Sequence, residues 1–85
     1  MPSYRVLITH EVLTTPSPTS KERRSILAFL NRLADDPFQT GDYQDKDEDG
    51  RPVQIKVIGS FALTYWADHG AKEVKVLKIE KADRP

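Results

Sequence analysis

One stretch of this 85-residue chain carries a helical repeat, and the apolar residues after it alternate. Ile26, Phe29, Leu30, Leu33 and Ala34 fall at i, i+3, i+4, i+7 and i+8, a single stripe on a helix. Lys21, Arg24, Ser25, Ala28, Arg32 and Asp35 fill the remaining arc. Thr19 followed three residues later by Glu22 is a capping box, in which hydroxyl and carboxylate satisfy backbone donors left unpaired in the first turn. Asp35-Asp36-Pro37 ends the repeat, because the residue before proline leaves the helical region. The spacing predicts a helix over about Ser20 to Asp35. One amphipathic helix cannot bury its own stripe, so strands must supply the facing layer.

Strand signals lie on both sides of it. Tyr4 to Thr9 is rich in β-branched and aromatic residues, with Tyr4, Val6 and Ile8 on one face, and reads as a strand buried on at least one side. Thr14 to Pro18, with two prolines, reads as a loop leading into the helix. Phe38 to Gly50 loses apolar periodicity and reads as a loop with a short edge strand near Asp42–Gln44. Val53, Ile55 and Val57 alternate with Gln54, Lys56 and Ile58; Gly59-Ser60 turns; Phe61, Leu63 and Tyr65 alternate with Ala62, Thr64 and Trp66. After a turn over 67–72, Glu73 to Glu80 forms a last strand whose phase breaks between Val76 and Leu77, the mark of a bulge or of a strand covered on both faces. The expected fold is α+β, a two-layer β-α-β-β-β arrangement with a hairpin-rich, mostly antiparallel sheet in one domain spanning 1–85.

A chain this short buries one core and has little room for a large cofactor. There is no cysteine, which excludes disulfides and thiolate metal sites, and the isolated His10 and His69 cannot by themselves make a zinc site. No cofactor and no metal are expected. No apolar run approaches the ~18 residues of a membrane span, and Met-Pro-Ser-Tyr-Arg lacks the apolar stretch of a signal peptide, so a soluble, cytoplasmic protein without membrane contact is expected.

Thirteen Lys plus Arg balance thirteen Asp plus Glu, yet the balance is a cancellation. Residues 1–34 carry five cations against two acids, net +3; residues 35–50 carry Lys46 against seven acids, net −6; residues 51–85 carry seven cations against four acids, net +3. The acidic segment is either a solvated loop or a competitor for the basic body around it. Within it, Asp45, Asp47, Asp49 and Gly50 match the start of a calcium loop, but Lys56 stands where a bidentate glutamate should close the shell and the residues beyond read as strand. An acidic hairpin loop is the simpler reading.

Gln54, Lys56, Tyr65, His69, Lys78, Lys81 and Arg84 sit on or just beyond the expected strands. They are either the wet face of an antiparallel layer or, on a face opposite the helix, an anion or RNA site in which cations neutralise phosphates and rings stack on bases. His69, in Asp68-His69-Gly70, is either a turn residue or a proton shuttle. P-loop, GxGxxG and Ser–His–Asp signatures are absent.

The opening Tyr4-Arg-Val-Leu-Ile-Thr9, Leu30-Asn-Arg-Leu-Ala-Asp-Asp-Pro37, Val53-Gln-Ile-Lys-Val-Ile-Gly-Ser-Phe-Ala-Leu-Thr-Tyr65 and Glu73-Val-Lys-Val-Leu-Lys-Ile-Glu80 together resemble the RelE/ParE superfamily of bacterial toxin–antitoxin toxins, over nearly the whole chain. The resemblance implies a type II toxin with an antitoxin protein as partner. For RelE-type members it also implies metal-independent, ribosome-dependent cleavage of mRNA, with sheet cations stabilising the phosphate transition state and a C-terminal tyrosine or histidine moving a proton. On that pattern Lys56 takes the place of a catalytic lysine and Arg84 that of an arginine after the last strand. Tyr65 or His69 would handle the proton, and Arg51, Gln54, Lys78 and Lys81 would hold RNA. Gln54 stands where a second lysine belongs, Ala62 where an arginine follows the aromatic Phe61, and the sequence reaches Pro85 without the tyrosine. ParE-type members inhibit DNA gyrase and lack the nuclease set. The expectation is therefore a toxin with weakened endonuclease activity or, alternatively, a non-catalytic protein of this fold that binds an antitoxin or another partner.

Overall fold

The computed structural model describes residues 4–8 and 19–82. The Thr14–Pro18 loop, His10 and Arg84 lie outside these residues. The elements are β1 (Arg5–Ile8), α1 (Ser20–Asp35), β2 (Tyr43–Lys46), β3 (Pro52–Ile58), β4 (Phe61–Asp68) and β5 (Glu73–Lys81). They form one sheet in the order β1-β5-β4-β3-β2, parallel between β1 and β5 and antiparallel elsewhere. The α+β expectation holds, with one addition: the edge strand anticipated near Asp42–Gln44 is a full strand paired with β3.

The helix begins where the capping box places it. Thr19 Oγ1 accepts from the Glu22 amide at 3.1 Å, and Glu22 Oε1 accepts from the Thr19 amide at 3.0 Å. Glu22 does more than cap. Its second oxygen accepts from the Ser60 amide at 2.8 Å and from the Ser60 hydroxyl at 2.5 Å, so one carboxylate ties the first turn of α1 to the β3–β4 turn. These Ser60 bonds, followed by those from Thr19, bring the Glu22 carboxyl down to about 2. At the other end, Asp36 leaves helical geometry before Pro37.

Ile26, Phe29, Leu30 and Leu33 bury the helical stripe against Phe61, Leu63 and Tyr65 of β4 and Val74 and Val76 of β5. Each fully buried large apolar side chain contributes about 1.5–3 kcal/mol relative to exposure, so this interface is the main cohesive element. The phase break in β5 is a bulge: Thr64 pairs with Lys78 and Tyr65 with Val76, leaving Leu77 as the extra residue. The bulge returns Ile79 to the helix face, where it packs on the core. β1 is less buried than its composition suggests, since Leu7 and Ile8 remain 40% and 38% exposed. No helix of the described residues is long and apolar enough to cross a membrane.

Candidate functional site

The β3–β4 register decides which face each candidate residue occupies. Gln54 pairs with Tyr65 and Lys56 with Leu63. Paired residues share a face, so Gln54 and Lys56 lie on the helix side with buried Leu63 and Tyr65. This corrects the expectation of a single polar face opposite the helix. Tyr65 is buried, its ring edge-on to Phe29 at 5.5 Å, and its hydroxyl donates to the Gln39 carbonyl at 3.1 Å. Burial, with the Asp42 charge adding to it, pushes the Tyr65 phenol up to about 12. A phenol so held keeps its proton at neutral pH.

Gln54 and Lys56 bind the chain segment that follows the helix. The Gln54 side-chain oxygen accepts from the Gly41 amide at 3.0 Å, and Lys56 Nζ lies 3.5 Å from an Asp42 carboxylate oxygen and 5.9 Å from the centre of the Phe29 ring. The other Asp42 oxygen accepts from the Val57 amide at 2.9 Å. That bond, and then the Lys56 charge, hold the Asp42 carboxyl below its usual range. Gly41 is required here because a Cβ would meet the Ile55 carbonyl oxygen at 2.5 Å. The segment thus clamps onto β3 before continuing into β2.

The remaining candidates are dispersed. Lys78 pairs with Thr64 on the open face. Lys81 pairs with Phe61 beside the β3–β4 turn, at the opposite end of β4 from His69. The open face contains a groove of about 530 Å³ whose lining includes Val53, Ile55, Thr64 and Leu77. Asp45, Asp47, Glu48 and Asp49 of the β2–β3 turn reach this groove, as does Lys78. The acidic segment therefore borders the sheet face instead of pointing away from it. Its calcium-like residues act as turn formers: one Asp47 oxygen accepts from the Asp49 and Arg51 amides, both at 2.9 Å. Among the described residues no group of three or more His, Asp or Glu is arranged to hold a metal ion.

A second depression, of about 440 Å³, opens where β3 begins and β4 ends. His69, in the turn after β4, stacks on Phe38 at 4.6 Å with planes 14° apart, and its Nδ1 lies 2.9 Å from the Tyr4 hydroxyl. Trp66 and Arg51 also line it, with the Arg51 guanidinium 4.3 Å above the indole and Lys75 Nζ 5.1 Å from the same ring. Beneath the turn, Asp68 accepts from the Ala71 amide and from Lys75 Nζ, each at 3.2 Å, and is held below the usual carboxylate range by the amide bond first and Lys75 next. Sequence reasoning missed Phe38, Trp66 and Asp42. Phe38 carried a readable signal, a wholly apolar ring at the head of a polar segment; the pairing of Asp42 with Lys56 spans fourteen residues and carried none.

No protein-family model matches the chain, and no curated protein is significantly similar to it in sequence. Its architecture is nevertheless that of a known α+β class. It superimposes on a chain in the crystal structure of the archaeal RelE–RelB complex from Pyrococcus horikoshii OT3 with a TM-score of 0.75 and 20% identity, covering 98% of this chain and 99% of that one. The fold is RelE-like.

Proposed function

We propose that this protein is the toxin component of a toxin–antitoxin pair, held in check by a partner antitoxin and acting in the cytoplasm as one domain spanning 1–85. The observation that carries the reading is the likeness, over 98% of this chain, to a structure solved as a RelE–RelB complex, beside the sequence resemblance along nearly the whole chain. Two basic segments flanking an acidic one in the sequence offer charge for a charged partner chain.

The site geometry favours action by binding over cleavage through Lys56. A lysine that stabilises a phosphate transition state must be free to meet developing charge. Lys56 faces Asp42, and Tyr65 spends its proton on the Gln39 carbonyl. Gln54 is likewise engaged, while His69, Lys78, Lys81 and Arg51 are distributed over both ends and the open face.

The test is inducible expression with and without the product of the neighbouring gene, followed by mapping of mRNA ends in a translation reaction. Growth arrest relieved by the neighbour, with mRNA intact, is the expected result. Unimpaired growth at high expression overturns the toxin reading. Discrete ribosome-dependent cuts that disappear in Lys56→Ala overturn the non-cleaving mode.

A further inference from the structure

An antiparallel sheet with one face in water turns its apolar residues to the covered face and its polar ones outward. β3 does the reverse. Gln54 and Lys56 share the helix side with Leu63 and Tyr65, so alternation turns Val53, Ile55 and Val57 to the open face, with Thr64 and Ala62 beside the last two. Leu77 lines the groove there, Tyr43 pairs with Ile55 and is 57% exposed, and Leu7, in the row of Lys75 and Trp66, is 40% exposed. Among the described residues no second helix or sheet lies over this face.

The charges on the open face are sorted by edge. The strand order puts β4 in the middle, β2 at one edge and β5 with β1 on the other side. Asp45 of β2 and Glu48 and Asp49 of the turn after it rim the groove on the first side, and Lys78 of β5 rims it on the second. Among the described residues these four enter no ion pair, whereas Asp47 is taken by Arg51 at 3.5 Å. Glu80, paired with Ala62 toward the Gly59–Ser60 turn, stands further along β5. A two-fold axis parallel to β4 lays two such faces together with their strands aligned, and sets the β5 side of each copy over the β2 side of the other. Lys78 of one copy then approaches Asp45 of the other, twice, with the apolar rows between. A two-fold axis across the strands would instead stack one acidic β2 edge on the other, a like-charge contact.

We propose that the protein self-associates through this face as a two-fold dimer, the second copy being the layer that β3 is patterned to meet. Five strands spaced about 4.8 Å apart and about seven residues long offer a face of roughly 20 by 24 Å, so two copies bury on the order of 1,000 Å², near the lower limit of a specific interface. A reversible dimer is therefore expected, not a permanent one. The inference goes beyond the toxin reading and does not rest on it, because it requires neither antitoxin nor ribosome.

The full-length chain is followed by sedimentation velocity from micromolar to about millimolar concentration, at low and high salt. The parent should show a monomer–dimer equilibrium that weakens with salt, since exposed charge pairs are screened. Lys78→Glu and Asp45→Lys should each weaken it by about tenfold or more, because each change sets like charges together at two symmetry-related places. An equimolar mixture of the two variants should recover the dimer, since every contact in the mixed pair is again between opposite charges. Arg24→Glu, exposed on α1, changes the net charge as much as Lys78→Glu does and should leave the dimer unchanged. Circular dichroism establishes that each variant is folded; where Asp45→Lys is not, Asp49→Lys takes its place. A parent that stays monomeric at the highest concentration, a dimer indifferent to Lys78→Glu, a mixture of folded variants that stays monomeric, or a dimer lost in Arg24→Glu overturns the proposal. Binding of a lysine-rich peptide by a chain that remains monomeric also overturns it and assigns the face to a foreign partner.

Discussion

Changing Tyr65 to Phe removes one oxygen and keeps the ring, and it separates a structural hydroxyl from a chemical one. Tyr65 is 1% exposed, so its ring burial and its edge contact with Phe29 survive the change. What is lost is the 3.1 Å hydrogen bond to the Gln39 carbonyl, which then stays partly buried without its donor. A neutral hydrogen bond of this kind contributes about 1 kcal/mol net. For a domain of this size that corresponds to a fall in Tm of roughly 4–8 °C. Urea unfolding followed by circular dichroism should show the midpoint moving down with an unchanged slope, because the surface exposed on unfolding is the same. The pH dependence gives a second readout. The unfolded phenol loses its proton near pH 10, while the folded one holds it to about 12, so its contribution is complete below pH 10 and declines as pH rises toward 12. Tyr65→Phe should lack that alkaline decline. A variant as stable as the parent would refute the claim that the hydroxyl clamps the Gln39 segment. Full stability with loss of growth arrest would return Tyr65 to a chemical role.

Three further outcomes follow from the same geometry. Because the Glu22 carboxyl is lowered to about 2, its stabilising effect is present above about pH 4.5 and is lost as pH falls toward 2; Glu22→Gln should flatten that part of an acid-unfolding profile. Leu63→Ala, at a site with 0% exposure in the centre of β4, should cost about 2–5 kcal/mol by denaturant titration. Gly41→Ala should destabilise by about 1–3 kcal/mol, since its Cβ would meet the Ile55 backbone, and hydrogen exchange should speed up at the Asp42 and Val57 amides, which that segment protects.

Local signals mark both ends of the helix. The Thr19–Glu22 box and the Asp36-Pro37 stop set the ends of α1, and both depend on residues within one turn. The bulge in β5 was visible as a phase break because alternation is a near-neighbour property, although its location at Leu77 needed the partner strand. β2 was underestimated: its four residues, Tyr43 to Lys46, are all exposed, so they show no apolar alternation and are held in the sheet by backbone pairing with β3.

The sequence by itself determined the layer architecture and its single core, because a 3.6-residue stripe and the two-residue alternations each specify a buried face without reference to the rest of the chain. Which face the polar residues joined was decided by tertiary structure alone. Gln54 and Lys56 alternate like a solvent-facing row, yet the register with β4 places them on the helix side beside buried Tyr65, where Gly41, Asp42 and Gln39 engage the three. The aromatic depression is equally non-local: Phe38 follows the helix, His69 follows β4 and Tyr4 precedes β1. Hydrogen bonds and ring contacts between such distant residues depend on how strands are ordered across the sheet, and periodicity along one strand carries no record of that order.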